Sequence, residues 1–456
     1  MIKYTVTMIN EAIFKAYDIR GIYPGELNED IVYKITQAYA KLVQPKRIVL
    51  GRDVRLSGPS LWKAAAQGLT DHGVDVIDIG VITTDMMYFA TAAYPDADGG
   101  ITISASHNPR EYNGLKLMRK GAVSISGDTG IKDIKKSVLE GYIYKAEKPG
   151  HVEQREIVDD YLKKCSSMFD ISAVKPLKVV ANGMFGPIIK IVRKLQLPVT
   201  LVTLNEEPDG SFPKGPPDPL LKENQTETSE LIKTSKADLG VAWDGDADRF
   251  FLFDENGRWI PGYYITAFLG ADFARKFPGA KIIHDPRLTW ATEEMVKAAG
   301  GAPLENKVGH SFLKERMRKE DAVFAGEMSG HYYFRDFYYA DNGLIPFLLI
   351  LEIISKSEKK TSEIFEPYFS EYFISGEINT KLGIDRRPDE ILAELEKKYG
   401  DAKIEHMDGL SVEYPNWRAN IRSSNTEPLL RLNVEGKSQA VVDEKTEEIL
   451  SVFSPS

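Results

Sequence analysis

Residues 47–103 read RIVLGRDVRLSGPSLWKAAAQGLTDHGVDVIDIGVITTDMMYFATAAYPDADGGITI. Arg47 to Leu50 is a short apolar run. Gly58 to His72 follows as a helix candidate, with Ser57 placed to cap its start and Gly73 just past its end. Val74 to Ile79 is the next apolar run, then a helical stretch near Thr84 to Ala93, then Gly100 to Ile103. This alternation is βαβ grammar, and it predicts a mainly parallel sheet with ligands gathering at the carboxyl ends of its strands.

The same grammar recurs further along. Leu177 to Ala181 reads as a strand, followed by a Gly183 to Pro187 turn, a helix to Gln196, a strand over Val199 to Leu204, a loop from Pro208 to Pro219, and a strand over Leu239 to Trp243. From Gly279 the order is Lys281 to His284, a helix near Thr292 to Ala299, and Asp321 to Ala325. Three blocks of similar size predict a repeated architecture, although no repeat is visible residue by residue. After about Phe369 the pattern changes: Tyr372 to Leu382 reads as a strand and Pro388 to Tyr399 as a helix. Ser411 to Tyr414 and Ala419 to Arg422 read as strands, and Leu430 to Val434 alternates at period two. The expected fold class is α/β, with three repeated mixed α/β sheet domains and a C-terminal α+β domain.

Length and composition agree with several packed domains. The 456 residues are 43% apolar, 10% aromatic and 27% charged, near the globular average, which excludes wholesale disorder. The longest greasy stretch, Leu344 to Ile354, is about half a membrane span and contains Pro346 and Glu352, so no transmembrane helix is expected. Lys3, Asn10, Glu11 and Lys15 interrupt the start, so no signal peptide is expected and the cytoplasm is the default location. A lone Cys165 permits no intrachain disulfide. With 58 basic against 67 acidic residues the net charge is −9, which argues against nonspecific nucleic-acid binding and leaves room for local anion pockets.

Two polar loops at strand ends carry the chemistry. Ser104-Ala105-Ser106-His107-Asn108-Pro109 follows the run ending at Ile103 and presents hydroxyls; it reads as a catalytic loop or as an ordinary turn stopped by Pro109. The Gly-x-Ser-x-Gly elbow of an acyl-transfer triad is missing, and a histidine adjacent in sequence is expected to point elsewhere. Lys116, in Asn113-Gly114-Leu115-Lys116, offers an ammonium within reach of the same loop. Asp244-Gly245-Asp246-Ala247-Asp248-Arg249 places three carboxylates directly after the strand Leu239 to Trp243. Hard oxygen ligands at this density suit Mg²⁺; the other reading is a solvated acidic turn. An EF-hand fails, because Arg249 stands where its glycine belongs and the flanks read as strands.

Three further loops are weaker alone. Gly326-Glu327-Met328-Ser329-Gly330-His331 offers a carboxylate and hydroxyl to a sugar, or is a structural turn. Lys307-Val308-Gly309-His310 contributes a histidine. Arg422-Ser423-Ser424-Asn425-Thr426-Glu427-Pro428 combines a guanidinium with hydroxyls and loop amides, which is phosphate-binding chemistry or a plain polar hairpin.

Together with Tyr17-Asp18-Ile19-Arg20-Gly21 and Gly51-Arg52-Asp53, these motifs occur in the order found in the α-D-phosphohexomutase superfamily, and the chain resembles its bacterial and archaeal phosphomannomutase/phosphoglucomutase branch. The resemblance implies four domains around a central cleft: a phosphoserine domain over 1–150, a metal domain over 151–255, a sugar domain over 256–368 and a phosphate domain over 369–456. It implies that Ser106 carries the phosphoryl group. Asp244, Asp246 and Asp248, with the phosphoserine oxygen of Ser106, would bind Mg²⁺, and Arg20, Lys116 and Arg249 would surround the moving phosphoryl. Glu327 and Ser329 would touch sugar hydroxyls, and Arg422, Ser424, Asn425 and Thr426 the phosphate that is not reacting. His310 and His331 match histidines assigned to proton transfer or orientation. Arg287 stands where relatives often carry lysine, which keeps a phosphate contact and loses a proton-transfer role. The implied reaction interconverts hexose 1-phosphate and hexose 6-phosphate, mannose or glucose, with a hexose 1,6-bisphosphate as intermediate and activator. The nearest rival branch, phosphoglucosamine mutase, usually has Gln where Met328 stands. A noncatalytic sugar-phosphate binder and a Mg²⁺ phosphatase are rivals from different functional classes. Nothing in the sequence encodes an oligomeric state.

Overall fold

The computed structural model describes residues 9–383, 386–423 and 429–453. The chain divides into two compact units, Met1–Trp259 with Asp336–Glu358, and Ile260–Arg335 with Lys359–Ser456.

The first unit holds two sheets. In the first, the strand order is Ile19–Ile22, Tyr112–Arg119, Gly99–Ile103, Arg47–Arg52, Asp75–Val81 and Val152–Gln154, so the sheet takes in residues just beyond 150. Arg47–Arg52 lies between two parallel neighbours, Gly99–Ile103 and Asp75–Val81. Ile48, Val49 and Leu50 are all fully buried, which is why this strand reads as an unbroken apolar run rather than an alternating one. Ile48 and Leu50 share a core with Ile31 and Ile35 of the helix Glu29–Val43 and Leu61, Ala65 and Leu69 of the helix Gly58–Asp71. Ser57 precedes that second helix without capping it; its Oγ accepts from Asn113 Nδ2 at 2.8 Å instead. The second sheet runs Phe250–Phe253, Leu239–Trp243, Lys178–Asn182, Thr200–Leu204.

The second unit also holds two sheets. One runs Tyr332–Phe334, Phe324–Gly326, Lys281–His284, Ala302–Glu305. The other is antiparallel, in the order Phe373–Ile374, Leu429–Gly436, Trp417–Ser423, Leu410–Glu413, Lys403–Glu405. Its apolar face packs Ala419, Ile421, Leu430, Leu432 and Val434 against Ile391, Leu395, Val442 and Ile449 of two helices.

The expected strand Tyr372 to Leu382 is two strands, Phe373–Ile374 and Ile378–Lys381, both paired with Leu429–Gly436. Ile374 faces Glu435 and Ile378 faces Leu432, so one extra residue bulges out between them, and Gly376 takes the positive φ of 71° that the bulge requires. Asp321, expected to open a strand, instead closes the helix His310–Glu320 with a left-handed backbone, and the strand begins at Phe324. The helix expected to reach Gln196 ends at Arg193.

The first three sheets share one plan. In each, a central strand (Arg47–Arg52, Lys178–Asn182 or Lys281–His284) has parallel neighbours on both sides. One of those neighbours passes through a short loop into an antiparallel strand. These loops span residues 104–111, 244–249 and 327–331, and each contains or nearly matches one of the five polar loops singled out in the sequence.

Candidate active site

Within the first unit the fold brings the serine loop onto the aspartate loop. Ser106 is almost fully buried, and its Oγ donates to Asp244 Oδ2 at 3.0 Å. Ser106 has φ of 50° in the left-handed region, and its amide donates to Ser104 Oγ, which in turn donates to Asp246 Oδ2 at 2.9 Å. Gly245 is required by this approach: a Cβ there would stand 2.7 Å from the Pro217 ring and 3.0 Å from the Ser106 carbonyl oxygen. His107, expected to point away, lies with Nδ1 3.1 Å from Ser106 Oγ. The left-handed backbone of Ser106 turns the two neighbouring side chains to the same side.

Arg20 stands on the strand beside this loop. Its Nη1 donates to Asn108 Oδ1 at 2.6 Å and its Nη2 to Asp18, while Nε is buried with no partner. Arg249 approaches Asp244 with Nε 3.7 Å from Oδ2. Lys116 Nζ bridges Asp246 Oδ2 at 2.7 Å and Asp248 Oδ2 at 2.6 Å, and donates to Thr84 Oγ1 at 3.1 Å. Burial alone would depress that ammonium, but Asp246 and Asp248 outweigh it and hold its pKa above the ordinary lysine range. Burial pushes the Asp244 carboxyl well above its usual value, and the neighbouring charges of Asp248 and Asp246 add to the shift.

These groups suit a divalent cation. One carboxylate oxygen from each of Asp244, Asp246 and Asp248 lies within 4.8 Å of the others, all three residues are buried, and Asp246 Oδ1 has no partner. Three carboxylates against one ammonium and one guanidinium leave the cluster short of positive charge. An all-oxygen donor set of this kind matches Mg²⁺.

The second unit carries the remaining candidates. Glu327 is buried; Tyr333 donates its hydroxyl to Oε2 at 2.6 Å and the Gly309 amide reaches Oε1 at 3.2 Å. His331 Nδ1 lies 3.4 Å from Glu327 Oε2 and 3.3 Å from Ser329 Oγ. Burial would raise the Glu327 carboxyl, but His331, Arg287 and Tyr333 hold it well below the carboxylate range. His310 opens the helix His310–Glu320 next to Gly309. Arg287 is buried, donating to Asp285 through Nε and Nη2 at 2.9 Å each and to Glu377 through Nη1 at 3.4 Å. Arg422 Nη2 donates to the same Glu377 oxygen at 3.2 Å. Ser424, Asn425 and Thr426 lie outside the described residues.

Sequence reasoning missed Thr84, Arg55 and Glu377. Arg55 had a usable signal, since Asp53-Val54-Arg55 and Asp285-Pro286-Arg287 are the same Asp-x-Arg after equivalent strands. Glu377 had none, because its partners come from residues 287, 422 and 431.

Comparison with known proteins agrees with this arrangement. Four family models match in order: phosphoglucomutase/phosphomannomutase alpha/beta/alpha domain I over residues 11–144, domain II over 159–257, domain III over 261–372 and the C-terminal domain over 377–452. A phosphomannomutase of Salmonella montevideo is 45% identical over 98% of this chain and 100% of its own length. A Xanthomonas campestris protein named "Phosphohexose mutases" is 46% identical over 96% of this chain and 98% of its own. The crystal structure of a phosphoglucomutase/phosphomannomutase family protein from Burkholderia thailandensis superposes with a TM-score of 0.89 at 32% identity, covering 98% of this chain and 99% of that one. With four family models matched in order and relatives 45–46% identical over nearly the whole chain, the chain belongs to the phosphoglucomutase/phosphomannomutase family of the α-D-phosphohexomutase superfamily and is a phosphohexomutase.

Proposed function

We propose that the protein interconverts hexose 1-phosphates and hexose 6-phosphates of mannose and glucose through a phosphoserine at Ser106 and a hexose 1,6-bisphosphate. The observation that carries this reading is Ser106 Oγ, 3.0 Å from Asp244 on a loop reached by Arg20, beside a buried triple-aspartate cluster. Phosphoryl transfer asks for in-line positioning and charge neutralisation, which these groups supply.

In the first transfer the phosphoserine P–Oγ bond breaks while a bond forms from phosphorus to O6 of a hexose 1-phosphate, and the hydroxyl proton ends on Ser106 Oγ. The bisphosphate turns end for end, and the C1 phosphate passes back to Ser106, leaving the 6-phosphate. Mg²⁺ on Asp244, Asp246, Asp248 and the Ser106 oxygen would supply positive charge to the transferring phosphoryl oxygens. Lys116 holds two of those carboxylates in place, and Arg20, with a free Nε, and Arg249 offer guanidinium donors. Glu327 and Ser329 contact sugar hydroxyls, with His331 and His310 orienting the substrate or its proton. Arg422, with Ser424, Asn425, Thr426 and Arg287, receives the idle phosphate. The strands Val152–Gln154 and Trp259–Ile260 belong to the first and second sheets, so the limits expected at 150 and 255 move just past those strands; the limit at 368 is proposed with this division of labour, as is a cytoplasmic location. No helix among the described residues is long and apolar enough to cross a membrane.

A coupled assay on glucose 1-phosphate, mannose 1-phosphate and glucosamine 1-phosphate, with catalytic glucose 1,6-bisphosphate, tests the reading. Isomerisation without net phosphate release is expected on the first two, and intact mass should show phosphate on wild type that Ser106→Ala lacks. Release of inorganic phosphate would mark a phosphatase. Exclusive turnover of glucosamine 1-phosphate would move the protein to the rival branch.

A further inference from the structure

We infer that Arg55 is the positioning residue that holds Ser106 in its reactive geometry, an inference that rests on Ser106 being the phosphoryl carrier. Arg55 is fully buried, and every N–H of its side chain is taken by an acceptor within the protein, which leaves none for a substrate. Its guanidinium Nη2 donates to the carbonyl oxygens of Ser106 at 2.8 Å and Asn108 at 2.7 Å, and Nη1 to those of Pro109 at 2.7 Å and Tyr112 at 3.0 Å. Nε donates to Asp53 Oδ2 at 3.1 Å, and the Arg55 amide to Asp53 Oδ1 at 2.9 Å. All five side-chain N–H groups thus have acceptors, four of them main-chain oxygens of the segment that carries Ser106.

Such a loop needs an outside constraint. Ser106 keeps a φ of 50°, a conformation that residues with a side chain rarely adopt, and its own carbonyl is one of the groups Arg55 grips. The carbonyls of residues 106, 108, 109 and 112 converge on one point, where their negative ends would repel one another without a cation. A planar fork satisfies four at once; an ammonium has only three donors and no plane. Asp53 fixes the fork from behind, and the Phe212 ring lies 5.0 Å from the guanidinium carbon. Released from this grip, the Ser106 backbone can relax and carry Oγ away from Asp244.

The test compares wild type, Arg55→Lys, Arg55→Ala and Ser106→Ala. Arg55→Lys keeps Asp53 paired but loses the fork. Its kcat should fall about 100-fold, the cost of a displacement of about 1 Å at a reacting atom, while KM for the sugar phosphate stays near wild type. Transfer of label from glucose 1,6-bisphosphate to dephosphorylated Ser106 should slow in parallel. In Arg55→Ala, guanidinium at sub-denaturing concentration should restore part of kcat, which sodium at equal ionic strength does not, and it should restore nothing in Ser106→Ala. Wild-type kcat in Arg55→Lys would overturn the inference, as would a folded Arg55→Ala that guanidinium does not help. If Arg55→Ala fails to fold, the kcat-against-KM split in Arg55→Lys decides. Full turnover by Ser106→Ala would instead remove the carrier reading itself, whatever the Arg55 variants do.

Discussion

The carboxylate of Glu377 lies among three guanidiniums. Arg287 and Arg422 donate to Oε2 at 3.4 and 3.2 Å, and Arg431 to Oε1 at 3.0 Å. Burial alone would raise its pKa, but Arg287, Arg422 and Arg431 pull it down to about 2 from an ordinary 4.5. A depressed carboxyl contributes stability above its unfolded pKa and loses it as pH falls toward the folded value, so the window here runs from about pH 4.5 down to 2. Glu377→Gln should therefore destabilise the protein by about 3 kcal/mol at pH 7 and only about 1 kcal/mol at pH 3. Urea unfolding at the two pH values measures this, and an equal difference at both would refute it. None of this was visible in the run Tyr372 to Leu382, where Glu377 is one acid in an expected strand; only the fold brings the arginines to it.

At the level of elements, each α/β sheet repeats a turn that the sequence shows only in part. The side chains of Asp53, Asn182 and Asp285, at or just past the ends of the three central strands, each accept the amide of the residue two places on: Arg55 at 2.9 Å, Met184 at 3.1 Å and Arg287 at 3.0 Å. Asp-x-Arg recurs in the first and third sheets but Asn182-Gly183-Met184 breaks it in the second, so the letters show two of the three turns, yet the backbone device is one. In the first and third sheets the turn also pairs a buried Asp with a buried Arg, while Asn182 instead bonds the neutral Asn205 and Thr228. Asp285→Ala should accordingly cost about 3 kcal/mol by leaving the buried Arg287 without its closest carboxylate and with Glu377 at 3.4 Å, and Asn182→Ala only about 1–2 kcal/mol. Equal losses in chemical denaturation would show that the charge at this turn contributes nothing. The strands here were legible because parallel strands buried on both faces spell unbroken apolar runs, as in Ile48-Val49-Leu50. The helix Gly262–Lys276 was not, because it is buried on nearly every side and shows no polar stripe to mark a period. Register also hides: the bulge at Gly376 depends on pairing with Leu429–Gly436, a partner remote in sequence.

Taken as a molecule, the chain separates its chemistry between units that each own a core. The first holds Ser106, Lys116 and the three aspartates; the second holds Glu327, His331, Arg287 and Arg422. The sequence located these loops because strand ends carry polar clusters, and the resemblance ordered them. It did not reveal that Lys116 already spans Asp246 and Asp248, which leaves Asp244 and the unpartnered Asp246 Oδ1 as the groups most in need of a cation. A ligand that binds only the native state stabilises it by mass action, so Mg²⁺ at 100 times its dissociation constant should add about 2.7 kcal/mol. For a unit of this size, with unfolding entropy near 2.1 cal/mol/K per residue, that corresponds to a rise of about 4–5 °C in Tm. Scanning calorimetry with Mg²⁺ and with chelator should show the rise in the transition of the unit that carries the aspartates. Asp246→Asn removes one ligand charge and should abolish most of the shift, while leaving the transition of the other unit where it was. A wild type indifferent to Mg²⁺, or an Asp246→Asn variant that shifts as far as wild type, would show that these carboxylates are held by Lys116 and Arg249 alone.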